Sequence, residues 1–145
     1  MSVEENKALV RRLVEAWNTR NWRVLDELMV PDCVDHYALP GEAQKPGREG
    51  YREAQINVTN AFPDIKFTIE DMIAEGDKVA VRLTFSGTHR GEFLGIKPTG
   101  KRITVPEISI WRIVSGKFVE EWGFSDRVGA FQQLGVIPPI GKSGG

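Results

Sequence analysis

A single cysteine in 145 residues excludes a disulfide within the chain and leaves too little sulfur for a cysteine-built zinc site. Cys33 therefore reads as a small buried hydrophobe. Histidine is nearly as scarce: His36 and His89 are the only two, and neither stands at a helical spacing from another His, Asp or Glu that would make a metal site. No stretch approaches the ~20 apolar residues of a membrane span. The first residues lack the basic start and apolar run of a signal peptide, so a cytoplasmic address is the expectation. An excess of one charge is missing too. Against 20 acidic side chains stand 19 basic ones, a formal net charge of −1, which gives no field to draw nucleic acid or an anionic membrane. A serine nucleophile would need a G-x-S-x-G elbow between a strand and a helix, and the one run of that form, Gly141-Lys142-Ser143-Gly144-Gly145, belongs to the expected tail. The glycines at 91, 95 and 100 lack the lysine-serine pair and following helix of a phosphate loop.

What is present describes one domain with a core, since 41% of the residues are apolar in a length that leaves little room for a second. Residues 1–145 are read as that domain, with its core at about 5–137 and an extended or mobile tail from 138. Val3, Leu9, Val10, Leu13, Val14 and Trp17 recur at three- and four-residue intervals, the pattern of an amphipathic helix. Trp22, Leu25, Leu28 and Met29 form a shorter stripe that Pro31 closes. Residues 32–46 read as loop, with a short extended piece at 34–37. A third helix is expected over 48–60, turning Tyr51, Ala54, Gln55 and Val58 inward.

From residue 65 the period becomes two. Ile65, Phe67 and Ile69 alternate with polar residues. After a turn at 75–78, Val79, Val81, Leu83, Phe85, Gly87 and His89 share the next apolar face. Residues 90–101 form a loop long enough to serve as a lid or rim. Two strands, 102–114 and 117–124, flank Ser115-Gly116, read as a two-residue hairpin turn. An unbroken ladder then pairs Ile113 with Phe118, Trp111 with Glu120, Ser109 with Trp122, Glu107 with Phe124, and Val105 with Asp126. On that register Glu107, Ser109, Trp111, Glu120, Trp122 and Asp126 share one face. Ile108, Ile110, Arg112 and Glu121 lie on the other, whose apolar part suits a homodimer or higher homo-oligomer.

Helices followed by a curved, mainly antiparallel sheet make an α+β layer that encloses a pocket. Four segments carry a family likeness: Phe62-Pro63-Asp64, residues 71–82, residues 87–100, and Glu120-Glu121-Trp122-Gly123-Phe124-Ser125-Asp126. On these the chain resembles, from about residue 5 to 134, the SnoaL-like polyketide cyclases, or ester cyclases, of the nuclear transport factor 2-like superfamily. The resemblance implies a cone-shaped fold with an apolar pocket, no metal and no organic cofactor. It also implies that Asp126 acts as general acid/base in an intramolecular aldol ring closure on a small, largely apolar carbonyl compound.

The residues leave several roles open. Asp126 follows Ser125 where a helix begins, so it suits a helix cap as well as a proton transfer. His89 is a candidate catalytic partner that hydrogen-bonds a carbonyl, or else a rim residue satisfied by backbone; His36 is divided between substrate binding and structure. Glu107, Ser109, Trp111, Trp122 and Phe124 complete the candidate substrate-binding set. Glu107 and Trp111 depart from the family's pattern, which tends to offer His or Gln on this strand, and Glu107 suits either a protonated donor or a salt bridge. Two other functions stay open beside the cyclase: a non-catalytic pocket for a hydrophobic small molecule, and a related isomerase, dehydratase or epoxide hydrolase.

Overall fold

The computed structural model describes residues 2–36 and 45–139. Its first helix, α1 (Val3–Thr19), starts where Ser2 Oγ accepts the Glu5 amide hydrogen at 3.1 Å and buries Val10, Leu13, Val14 and Trp17. A 3₁₀ turn (Trp22–Val24) leads into the four-residue α2 (Leu25–Leu28), whose two leucines are fully packed. Beyond it Pro31 does not end the ordered chain. Met29–Asp35 form strand β1, which lies at the sheet edge and runs parallel to β5 with an irregular register between Met29 and Val34. An edge strand with a bulge is where a residue lacking an N–H fits a sheet. The expected extended piece at 34–37 is thus the end of a strand that starts earlier. Tyr37 lies outside the described residues, as does the tail beyond 139.

Helix α3 (Gly47–Ala61) is followed by β2 (Lys66–Glu75), β3 (Lys78–Thr88), β4 (Arg102–Val114), β5 (Lys117–Ser125) and α4 (Arg127–Leu134), giving the sheet order β1-β5-β4-β3-β2. All pairings except β1 with β5 are antiparallel. Alternation decides which face is dry: Val79, Val81 and Leu83 of β3 and Ile103, Val105, Trp111 and Ile113 of β4 point inward and are buried. Against that face α1 covers β2 and β3, α3 covers β1, and α4 packs on β4. This is the α+β fold expected, with a mixed five-stranded sheet. No helix among the described residues is long and apolar enough to cross a membrane.

One departure in register governs everything that follows. The hairpin begins as expected, with Val114 opposite Lys117 and Ile113 opposite Phe118, but Arg112 then pairs with Glu120. Val119 is the extra residue of a β-bulge, and a one-residue slip turns every later side chain of β5 to the other face. Trp111 consequently faces Glu121, Ser109 faces Gly123, and Glu107 faces Ser125.

Residues 90–101 are tied down at both ends. The His89 amide donates to Lys101 O at 2.9 Å, that of Gly100 to His89 O at 2.8 Å, and those of Arg90 and Gly91 to Ala61 O. Gly91 is needed for the approach to α3, because a Cβ there would sit 2.5 Å from Asn60 O. At the loop's tip Phe93 and Ile96 bridge each other.

Candidate active site

A cavity of about 500 Å³ lies between the inner sheet face, α3, α4 and the 90–101 loop, within the usual range for a small-molecule site. Phe62, Phe67, Phe85, Phe93 and Phe131 supply much of its apolar lining; Asp35, Tyr51, Glu107, Glu121 and Arg127 are polar groups of its wall, and Lys45, Glu53, Gln55, Asn57, Asn60, Glu92 and Ser125 add others. Each arrives by the rules above. Phe67 and Phe85 are inward positions paired across β2 and β3, Tyr51 is on the buried side of α3, and Glu107 is inward on β4.

Glu121 reaches the cavity only because of the bulge. It is 7% exposed; Oε1 accepts from Ser109 Oγ at 3.3 Å, and Oε2 has no hydrogen-bond partner among the described residues. A carboxylate in such a place is penalised by lost hydration. Its pKa is driven well above the ordinary glutamate value, by burial first and then by the charges of Asp35 and Glu107, while Ser109 offsets a little. Glu107 is partly exposed where it lines the cavity. Burial pushes it up to about 7, opposed by the Ser109 hydroxyl and by Arg127. The positive charge that bears on Glu107 is that of Arg127, at the start of α4. Tyr51 Oη and Trp17 Nε1 are buried beside this pair without a well-formed hydrogen bond, and burial raises the Tyr51 phenol well above its usual range.

The chemistry available is that of two carboxyl groups that have the Ser109 hydroxyl as a common neighbour, set beside phenylalanines and pushed toward their protonated forms. One titrates near neutrality and can take a proton; the other keeps its proton and can donate a hydrogen bond. Among the described residues no group of three or more His, Cys, Asp or Glu side chains is arranged to hold a metal ion.

The bulge divides the residues singled out from sequence. Glu107 and Ser109 face inward as expected. Trp111 faces inward as well, but it is core: fully buried, edge-on to Tyr51 and Phe118, and it does not line the cavity. Trp122 and Phe124 are on the outer face, where Phe124 is 71% exposed. His36 is there too, stacked on Trp122 with ring centroids 4.9 Å apart and with Nε2 2.6 Å from Glu120 Oε2. His89 is buried behind Phe62 and Phe93. Its Nδ1 accepts the Thr99 amide hydrogen at 3.1 Å and lies 3.0 Å from Thr99 Oγ1, a latch on the loop. Asp126 is exposed and caps α4, accepting the Gly129 amide hydrogen at 2.8 Å; it is not part of the cavity lining. Sequence reasoning missed Glu121, Asp35 and Arg127 as pocket residues. Gly123, a glycine inside a strand, is the local sign of close approach that points to the first of them.

With this geometry in view, the comparisons with known proteins define the class. Residues 7–134 match the family model SnoaL, SnoaL-like polyketide cyclase, and the chain belongs to that family. It is 31% identical over 128 residues to the aklanonic acid methyl ester cyclase DauD of Streptomyces sp. strain C5, covering 88% of this chain and 80% of DauD. Among solved structures, TsrD from Streptomyces laurentii superposes with a TM-score of 0.85 at 32% identity, over 94% of this chain and 99% of TsrD. AclR from Streptomyces galilaeus, a candidate hydroxylase, gives 0.83 at 33% identity, over 97% of this chain and 87% of AclR.

Proposed function

We propose that this polyketide cyclase-type protein closes a ring by an intramolecular aldol reaction on a largely apolar carbonyl compound, using Glu107 as base and Glu121 as acid. The carrying observation is the pair of inward carboxyl groups that have Ser109 as a common neighbour at the cavity wall. Glu107, with a pKa near neutrality, takes the proton from a carbon between two carbonyl groups. The electron pair left behind spreads onto the carbonyl oxygen, which protonated Glu121 and the Tyr51 hydroxyl serve with hydrogen bonds. The enolate carbon then attacks the second carbonyl, the new alkoxide takes the proton of Glu121, and Glu121 regains one from Glu107 by way of the Ser109 hydroxyl, so that one C–C bond has formed and both carboxyl groups return to their starting states. The protein's own part is proton transfer and hydrogen bonding, and in this reading no metal or organic cofactor takes part.

This assignment gives Asp126 a structural part, supported by its bond to the Gly129 amide. The phenylalanines of the cavity wall suit an enolate, whose charge is delocalised. We further propose that a second copy of the chain covers the outer sheet face, where Ile108 and Phe124 are largely exposed; light scattering at micromolar protein should then return a dimer or larger, and a monomer would refute it.

Turnover of enolisable polyketide-like ketones is the direct test, beginning with aklanonic acid methyl ester, the compound named for DauD. The expected result is ring closure by the wild type, loss in Glu107→Gln and retention in Asp126→Ala. Tight binding without turnover of any compound would favour a pocket that only binds, and undiminished turnover in Glu107→Gln would remove the base from the scheme.

A further inference from the structure

Glu121 pairs across the ladder with Trp111, not with Ser109. To reach the Ser109 hydroxyl its side chain must run along β5, over the residue two places ahead on the same face, which is Gly123. Strand neighbours at i and i+2 share a face, and any side chain at 123 would occupy that path. The numbers are tight: a Cβ on Gly123 would lie 2.7 Å from Glu121 Oε1, 3.1 Å from Ser109 Oγ and 3.6 Å from Glu121 Cδ. Backbone conformation does not require glycine here, because Gly123 is absent from the glycines of positive φ, which among the described residues are 47, 76, 95, 100, 116 and 135. The glycine's use is therefore the space above it.

We infer that Gly123 is the positioning residue of the carboxyl pair: its missing side chain is the channel through which Glu121 reaches Ser109 and Glu107. A methyl group at 123 would push the Glu121 carboxyl off Ser109 and uncouple it from Glu107. The catalytic meaning of this inference rests on the proposed acid/base pair; the geometry does not. The charged and titratable groups that bear on Glu121 are Asp35 and Cys33 from β1, Tyr51 from α3 and Glu107 from β4, with Arg127 of α4 acting on Glu107.

The experiment titrates the side-chain carboxyl carbons of ¹³C-glutamate-labelled protein by NMR, in wild type and Gly123→Ala. Of the two influences lost on displacement, the repulsion from Glu107 outweighs the Ser109 hydrogen bond. Glu121 should therefore move down toward the ordinary glutamate range. Unchanged titration of both glutamates in a folded variant would overturn the inference. Should Gly123→Ala fold poorly, Gly123→Ala/Glu121→Ala decides: removing the obstructing carboxyl should recover most of the lost Tm, whereas an equal loss in both backgrounds would overturn it. Neither readout needs a substrate. A protein that fails every turnover assay but shows these shifts sinks the cyclisation and keeps the positioning role; the reverse result does the opposite.

Discussion

Glu120 and Glu121 follow one another on β5 and meet opposite surroundings. On the outer face Glu120 accepts from Arg112 Nε at 2.9 Å, with His36 Nε2 2.6 Å from its other oxygen, and these bonds to His36 and Arg112 hold its carboxyl below the ordinary glutamate value. On the inner face Glu121 has one long hydrogen bond and a buried, unpaired oxygen, and its pKa rises instead. The two side chains are chemically identical. What separates them is whether cations and water, or phenylalanines and a second carboxyl group, are within reach. An ion-paired glutamate at a surface stabilises little and does little chemistry, while a buried one without a cation partner is costly and reactive.

Substitutions at the two faces can break or sharpen that contrast, and the largest effect belongs to the inner one. Glu107→Gln should lower turnover by about 10²–10⁴-fold while the protein keeps its circular dichroism spectrum. A loss of under tenfold would mean that the inner carboxyl groups are not the acid/base pair.

Stability against pH comes next. Folded Glu107 keeps its proton to about pH 7, whereas the unfolded chain releases it near 4.5. The folded state therefore binds more protons in that window, and stability falls as pH rises through it. Discounted for partial exposure, the loss is on the order of 2 kcal/mol. Thermal melts of the wild type should decline between pH 5 and 7, and Glu107→Gln should make the decline shallower without abolishing it, because Glu121 is raised in the same direction. The outer face has the opposite sign: with its pKa lowered, Glu120 contributes stability above the ordinary glutamate range and loses it as pH falls into acid.

Smaller still is Asp126→Ala, expected to cost about 1 kcal/mol through loss of the α4 cap, with turnover within about threefold of wild type. A thousandfold loss of turnover at unchanged Tm would return the acid/base role to Asp126. The least effect is expected of Glu120→Gln, a Tm change of about 2 °C or less and no change in the pH profile of turnover.

Much of this architecture was legible. The 3.6-residue spacing located α1 and α3, the two-residue period located β2 to β5, and Ser115-Gly116 fixed the start of the final hairpin, because these signals are local. The parallel strand β1 was not legible: its partner β5 lies some ninety residues away in sequence, and Pro31 reads as a stop when edge pairing is unknown. Glu107 and Ser109 face inward as their alternation on β4 predicts, because the bulge lies on β5 and leaves the parity of β4 unchanged. Past Val119 the assignment inverted. Phe118-Val119-Glu120-Glu121-Trp122 alternates acceptably in either register, since a tryptophan and a glutamate each suit a core position or a surface one.

Val119 thus behaves as a phase shifter written into the chain. Before it, β5 addresses the interior on one parity of residue number; after it, on the other. Drawing that residue into the ladder, with Val119 opposite Arg112, would hand the chamber Glu120, Trp122 and Phe124 in place of Glu121, Gly123 and Ser125. The reactive surface would change without any reactive residue being substituted, so the family's scaffold can be re-addressed by counting as well as by mutation.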